Sequence, residues 1–88
     1  MKPDNLSDPR ALRSREALRR SFEELAAERP YANLTVKEVT TFAGLDRTTF
    51  YLHYPGMHAL LEDCTRVLFD EMRAEIYANL QVDYHQDL

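Results

Sequence analysis

Four residue types with complementary recognition chemistry recur within one short stretch of this 88-residue sequence. If residues 47–54 are helical, at 100° per residue Arg47, Thr48, Tyr51 and Leu52 fall within an arc of about 140°, while Phe50 points away. A guanidinium, a hydroxyl, a phenol and an aliphatic tip then share one face. Such a face suits the edges of bases in a major groove. Arginine matches guanine, hydroxyls reach bases or phosphates, and an aliphatic group touches a thymine methyl. Tyr51 admits a core reading as well, but its place beside Thr48 favours an outward hydroxyl. Phe22, Phe50 and Tyr54 read as core.

Other chemistries fit poorly. His53, His58 and Cys64 are separated by five and six residues, which does not put three metal ligands on one helical face. Nothing near Cys64 would lower its thiol pKa, so a nucleophile is not expected. The expectation is a chain with no catalytic residues, no metal and no cofactor, and hence not an enzyme.

The elements that must position the arc are punctuated by caps and breakers. Asp8-Pro9 reads as an N-cap followed by proline at the first helical position. Leu18, Phe22, Leu25 and Ala26 then form an apolar stripe, and Pro30 ends this helix near Arg29. Thr35 and Glu38 have the spacing of a capping box, Val36, Val39 and Ala43 face inward, and Gly44 closes the helix. Asp46 caps a third helix from Arg47 to about Tyr54, terminated by Pro55-Gly56. A fourth opens near Met57 with Leu60, Leu61, Cys64, Leu68, Met72 and Ile76 at helical spacing. The second and third helices, joined by Ala43-Gly44-Leu45-Asp46, have the helix-turn-helix pattern, with Leu45 plugging the crotch.

The run from Leu34 to Leu61 resembles the N-terminal DNA-binding domain of TetR/AcrR-type bacterial transcriptional regulators. Leu34-Thr35-Val36 matches the start of that domain's second helix and Ala43-Gly44-Leu45 its turn. Thr49-Phe50-Tyr51 with His53-Tyr54 resembles the TFYxHF signature, and Ala59-Leu60-Leu61 the opening of the fourth helix. Glu28-Arg29-Pro30-Tyr31 takes the place of the first helix's exit, so the resemblance covers roughly residues 10–75. It implies an all-α, homeodomain-like fold: a three-helix bundle with a helix-turn-helix at about 35–54, continued by a long fourth helix. By position it implies base reading by Arg47 and Thr48 with Tyr51 and Leu52 alongside, and phosphate contact by Thr35, Thr49 and His53. Two positions depart from the pattern. Leu52 stands where relatives often carry a polar reader, and Met57 where they place a phosphate-binding lysine.

Composition sets the remaining bounds. The chain is 44% hydrophobic and 30% charged, and leucine and alanine outnumber the β-branched residues, as in a small helical domain. The net charge of −4 is unevenly spread. Residues 1–56 carry nine Lys/Arg against eight Asp/Glu, and residues 57–88 two against seven. Five arginines (Arg10, Arg13, Arg15, Arg19, Arg20) crowd residues 9–20 beside one acid, Glu16. They read either as a solvated face or as a flank that meets DNA; a basic end on an acidic body steers binding more than net charge does. One cysteine, no apolar run of membrane-spanning length and no secretory leader lead to an expected cytoplasmic location and no membrane partner.

The expected organisation is a flexible segment at 1–8, the DNA-binding domain at 9–80 and a polar tail at 81–88. The family's C-terminal ligand-binding and dimerisation domain is expected to be absent. With it would go the usual homodimer contacts and any small-molecule site. The expected function is sequence-specific binding of a double-stranded DNA operator for transcriptional control, in the repressing sense. The alternative is a protein-interaction module, or an orphan fragment, using an exposed apolar stripe on the fourth helix (Val67, Phe69, Ile76, Leu80).

Overall fold

Asp8 opens the first helix because its extended backbone leaves the carboxylate free to accept the Arg10 N–H at 2.9 Å. The computed structural model describes residues 8–80. The expected flexible segment, apart from Asp8, and the expected polar tail lie outside the described residues. Helix α1 (Pro9–Ala26) places Leu18, Ser21, Phe22 and Leu25 in the interior. It stops before the expected exit at Arg29, since Pro30 disfavours a helical Arg29. The N–H groups of Glu28 and Arg29 instead both bond to the Leu25 carbonyl in a closing turn. Tyr31–Asn33 follows as a single 3-10 turn. Ala26, expected on the inner stripe, is exposed at this early end; Ser21 takes an inner position, its hydroxyl donating to the Val39 carbonyl at 2.8 Å.

Helix α2 (Val36–Ala43) begins with the capping box read from Thr35 and Glu38. Thr35 Oγ1 accepts the Glu38 N–H at 3.1 Å, and Glu38 Oε1 accepts the Thr35 N–H at 3.2 Å. Gly44 ends it at φ 74°, in the left-handed region. There the Leu45 N–H reaches the Thr40 carbonyl and the Gly44 N–H the Thr41 carbonyl, the paired bonds of a Schellman turn. A side chain at position 44 would meet no atoms within 4 Å, but it would be strained by that backbone conformation. The sharp turn launches α3 (Arg47–His53) under the Asp46 cap, whose carboxylate accepts the Thr49 N–H at 2.8 Å.

Helix α4 (Met57–Leu80) completes an all-helical arrangement with no strand among the described residues. The core consists of Leu18, Phe22, Leu25, Leu34, Val39, Phe50, Tyr54, Leu60 and Cys64, with Val36, Ala43, Leu45 and Met57 half-buried against it. Only the first part of α4 reaches this core. Leu68, Met72 and Ile76, expected to continue its apolar stripe, are exposed, as are Phe69 and Leu80. Periodicity records that these residues share a face, but among the described residues no element covers that face.

Candidate nucleic-acid interface

Exposure around α3 follows the helical arc. Arg47, Thr48, Tyr51 and Leu52 are exposed, Thr49 and His53 are half-buried together on the flank beside Leu52, and Phe50 is fully buried. Leu52 is the extreme case at 71% exposed, a cost that packing within this domain does not offset. Phe50 anchors the inner face, with ring contacts to Tyr51 at 5.1 Å and Tyr54 at 5.8 Å between centroids. The four outward residues therefore sit on a helix held from behind and capped at its start.

The flanking residues divide by environment. Thr49, Leu52 and His53 line one concavity of about 260 Å³ together with Asp8, Arg10 and Ser14 from the start of α1. The structure thus brings α3 and the first turns of α1 onto a continuous surface. Burial, aided by the nearby Arg15 charge, lowers the His53 pKa, so its imidazole is neutral at pH 7 and contributes one N–H without a charge. Thr35 lies apart, at the start of α2, its hydroxyl engaged with Glu38 in the cap. The Arg29 guanidinium, 2.6 Å away, is the main reason the Glu38 carboxyl is held below its ordinary pKa. The Thr49 amide does the same for Asp46. Both caps are therefore charged at neutral pH.

Ion pairing sorts the cations in a way the sequence did not reveal. Arg15, Arg19, Arg20, Arg29, Arg66 and Arg73 are paired with carboxylates. Arg10, Arg13, Lys37 and Arg47 have no carboxylate partner within 4.0 Å among the described residues. These four lie on α1, α2 and α3, none on α4. The arginine run of α1 is consequently neither wholly a solvated face nor wholly a DNA flank: Arg15 and Arg19 turn inward to Asp63. The only hint of this in the sequence is the i,i+4 spacing of Arg15 and Arg19, which puts them on one face.

Cys64 is buried, its thiol donating weakly to the Arg19 carbonyl at 3.9 Å. Burial, with Glu23 and Asp63 nearby, pushes its pKa up to about 11 from an ordinary 9.0, against the opposing charge of Arg19. Among the described residues no group of three or more His, Cys, Asp or Glu side chains could hold a metal ion. A thermodynamic consequence follows for Cys64. The unfolded thiol loses its proton at lower pH than the folded one, so this stability contribution is complete below about pH 9 and lost as pH rises toward 11. The urea midpoint of the native chain should fall between pH 8 and pH 10. Cys64→Ala, though less stable at pH 8, should show a smaller fall; an equal fall would assign the effect to other groups.

The short helices, the glycine turn and the outward face of α3 define a helix-turn-helix domain. Residues 15–64, more than half of the chain, match the family described as bacterial regulatory proteins, tetR family. The chain belongs to that family, which is one of DNA-binding transcriptional regulators and not of enzymes. It is similar to the uncharacterized HTH-type transcriptional regulator YxbF of Bacillus subtilis (strain 168), with 39% identity over 56 residues. That match covers 62% of this chain and only 15% of the relative's length. No solved structure matches the chain. No helix among the described residues is long and apolar enough to cross a membrane.

Proposed function

We propose that this domain binds an operator in duplex DNA by inserting α3 into the major groove, and that it acts in the repressing sense. The observation that carries the reading is the exposed Arg47, Thr48, Tyr51 and Leu52 face opposite a fully buried Phe50. In this reading Arg47 and Thr48 read base edges, Tyr51 supplies a phenol and Leu52 meets a thymine methyl. Thr49 and the neutral His53 donate to phosphates, Thr35 joins them by turning its hydroxyl proton from the Glu38 carboxylate to the phosphate, and Arg10, Arg13 and Lys37 supply sequence-independent attraction. One domain engages one half-site, so pairing of two domains would double the footprint. A second reading rests on the exposed Leu68, Phe69, Met72, Ile76 and Leu80 of α4, an apolar surface suited to a protein partner.

Salt separates the two readings. Phosphate contact releases counterions, so duplex affinity should fall steeply and linearly on a log-log plot against salt; an apolar docking surface responds little. Met57 sharpens the test. It starts α4, half-buried against the core, and Gly56 before it offers no side chain to cap the helix's free N–H groups. Met57→Lys should steepen the salt slope by about one unit on random and selected duplexes alike, the value for one added phosphate contact. It should also lower the melting temperature through lost packing. A lower melting temperature with an unchanged slope would place the start of α4 away from the phosphate backbone. A flat salt response of the native chain would favour the α4 surface.

A further inference from the structure

Among the described residues, Asp63 gathers four side-chain partners although it is only 7% exposed. The Tyr54 hydroxyl donates to its Oδ2 at 2.5 Å, and nitrogens of Arg19 and Arg15 lie 3.6 Å and 3.7 Å from the same oxygen. Arg66, one turn along α4, donates to Oδ1. The Arg15 guanidinium also lies over the Tyr54 ring, 5.3 Å from its centroid, while its Nε is buried without a hydrogen-bond partner. Two arginines of α1, the residue that follows α3, and α4 thus meet at one carboxylate.

A buried ion network of this kind is weak evidence for stability, because desolvation offsets much of its attraction; it does impose geometry. The geometry here bears on α3. That helix is only seven residues long, with its entry held by Asp46 and its middle by Phe50. Its exit is Tyr54, whose N–H bonds to the Phe50 carbonyl at 2.9 Å and whose ring is in the core. The phenol's bond to Asp63 ties that exit to α4 and, through Arg15 and Arg19, to α1. We propose that Asp63 is a positioning residue for DNA recognition: through Tyr54 it sets the angle at which α3 presents Arg47, Thr48, Tyr51 and Leu52. It does not touch DNA itself, and the proposal rests on the operator-binding reading above.

The test uses the whole 88-residue chain. A duplex is selected from a randomised pool with the native chain, and dissociation constants are measured for selected and random duplexes at one salt concentration. The variants are Tyr54→Phe, Asp63→Leu, which offers no acceptor to the phenol, and the pair, each studied well below its own melting midpoint. Tyr54→Phe keeps the ring in the core, so the test stands even if Asp63→Leu unfolds. Each folded single variant should bind the selected duplex about tenfold more weakly. Random-duplex affinity should not fall, and the pair should be no worse than the weaker single because both act through one bond. A purely structural role would lower melting temperatures while folded variants kept native affinity and selectivity; that result, or losses that multiply in the pair, overturns the proposal alone. Failure of the native chain to select any duplex overturns the operator-binding reading and this proposal with it.

Discussion

Phe50→Ala should lower the unfolding free energy by about 3–5 kcal/mol, the largest single-residue effect expected in this domain. The ring is fully buried and contacts two further aromatic rings, one of them the buried Tyr54. Truncation removes its transfer free energy and leaves a cavity that short, capped helices cannot easily close. A domain of this size has a core that rarely supplies more than ~3–5 kcal/mol of net stability. The variant should therefore be largely unfolded at 25 °C, with low helical ellipticity and no cooperative urea transition. Leu52→Ala, two residues along the same helix, should change stability by no more than about 0.5 kcal/mol, since that side chain is 71% exposed. A cooperative Phe50→Ala protein that lost under about 1 kcal/mol would mean that α3 is not anchored through its inner face.

Arg47→Ala and Thr48→Ala should each cost about 1–3 kcal/mol on a selected duplex and relax base preference at one position. Arg47 is exposed at the first position of α3, with no carboxylate within ion-pairing distance among the described residues. Its loss frees no buried charge and leaves the Asp46 cap intact, so melting should be unchanged. Binding to random duplexes should weaken less, because base contacts carry the sequence information and phosphate contacts do not. Competition titrations with selected and random duplexes measure the two losses together. Equal losses on both would make Arg47 a phosphate contact, and base reading would then fall to Thr48, Tyr51 and Leu52.

Local chemistry is legible from local sequence, and in this chain the start of each of the first three helices is local chemistry. Asp8-Pro9, Thr35 with Glu38, and Asp46 are read from spacing because each cap joins residues within one turn. The opposition of Phe50 to Arg47, Thr48, Tyr51 and Leu52 is equally legible, since 100° per residue divides a short helix before its neighbours are known. The end of α1 was less so. Pro30 marks a limit, but where the helix actually unwinds depends on the competing carbonyl of Leu25 and the 3-10 turn beyond.

Tertiary structure decided which charges remain available. In sequence the arginines of α1 are equivalent members of one basic run. In space Arg15 and Arg19 face Asp63, separated from it by more than forty positions, Arg20 turns to Glu16, and Arg10 and Arg13 find no carboxylate partner among the described residues. Periodicity also assigned one continuous stripe to the fourth helix, because it registers only which residues share a face. Burial of that face requires an opposing element, and among the described residues none covers Leu68, Met72 and Ile76. Caps and helix faces were set within a turn of chain, whereas charge pairing and the depth of the core depended on which distant residues the fold brought opposite one another.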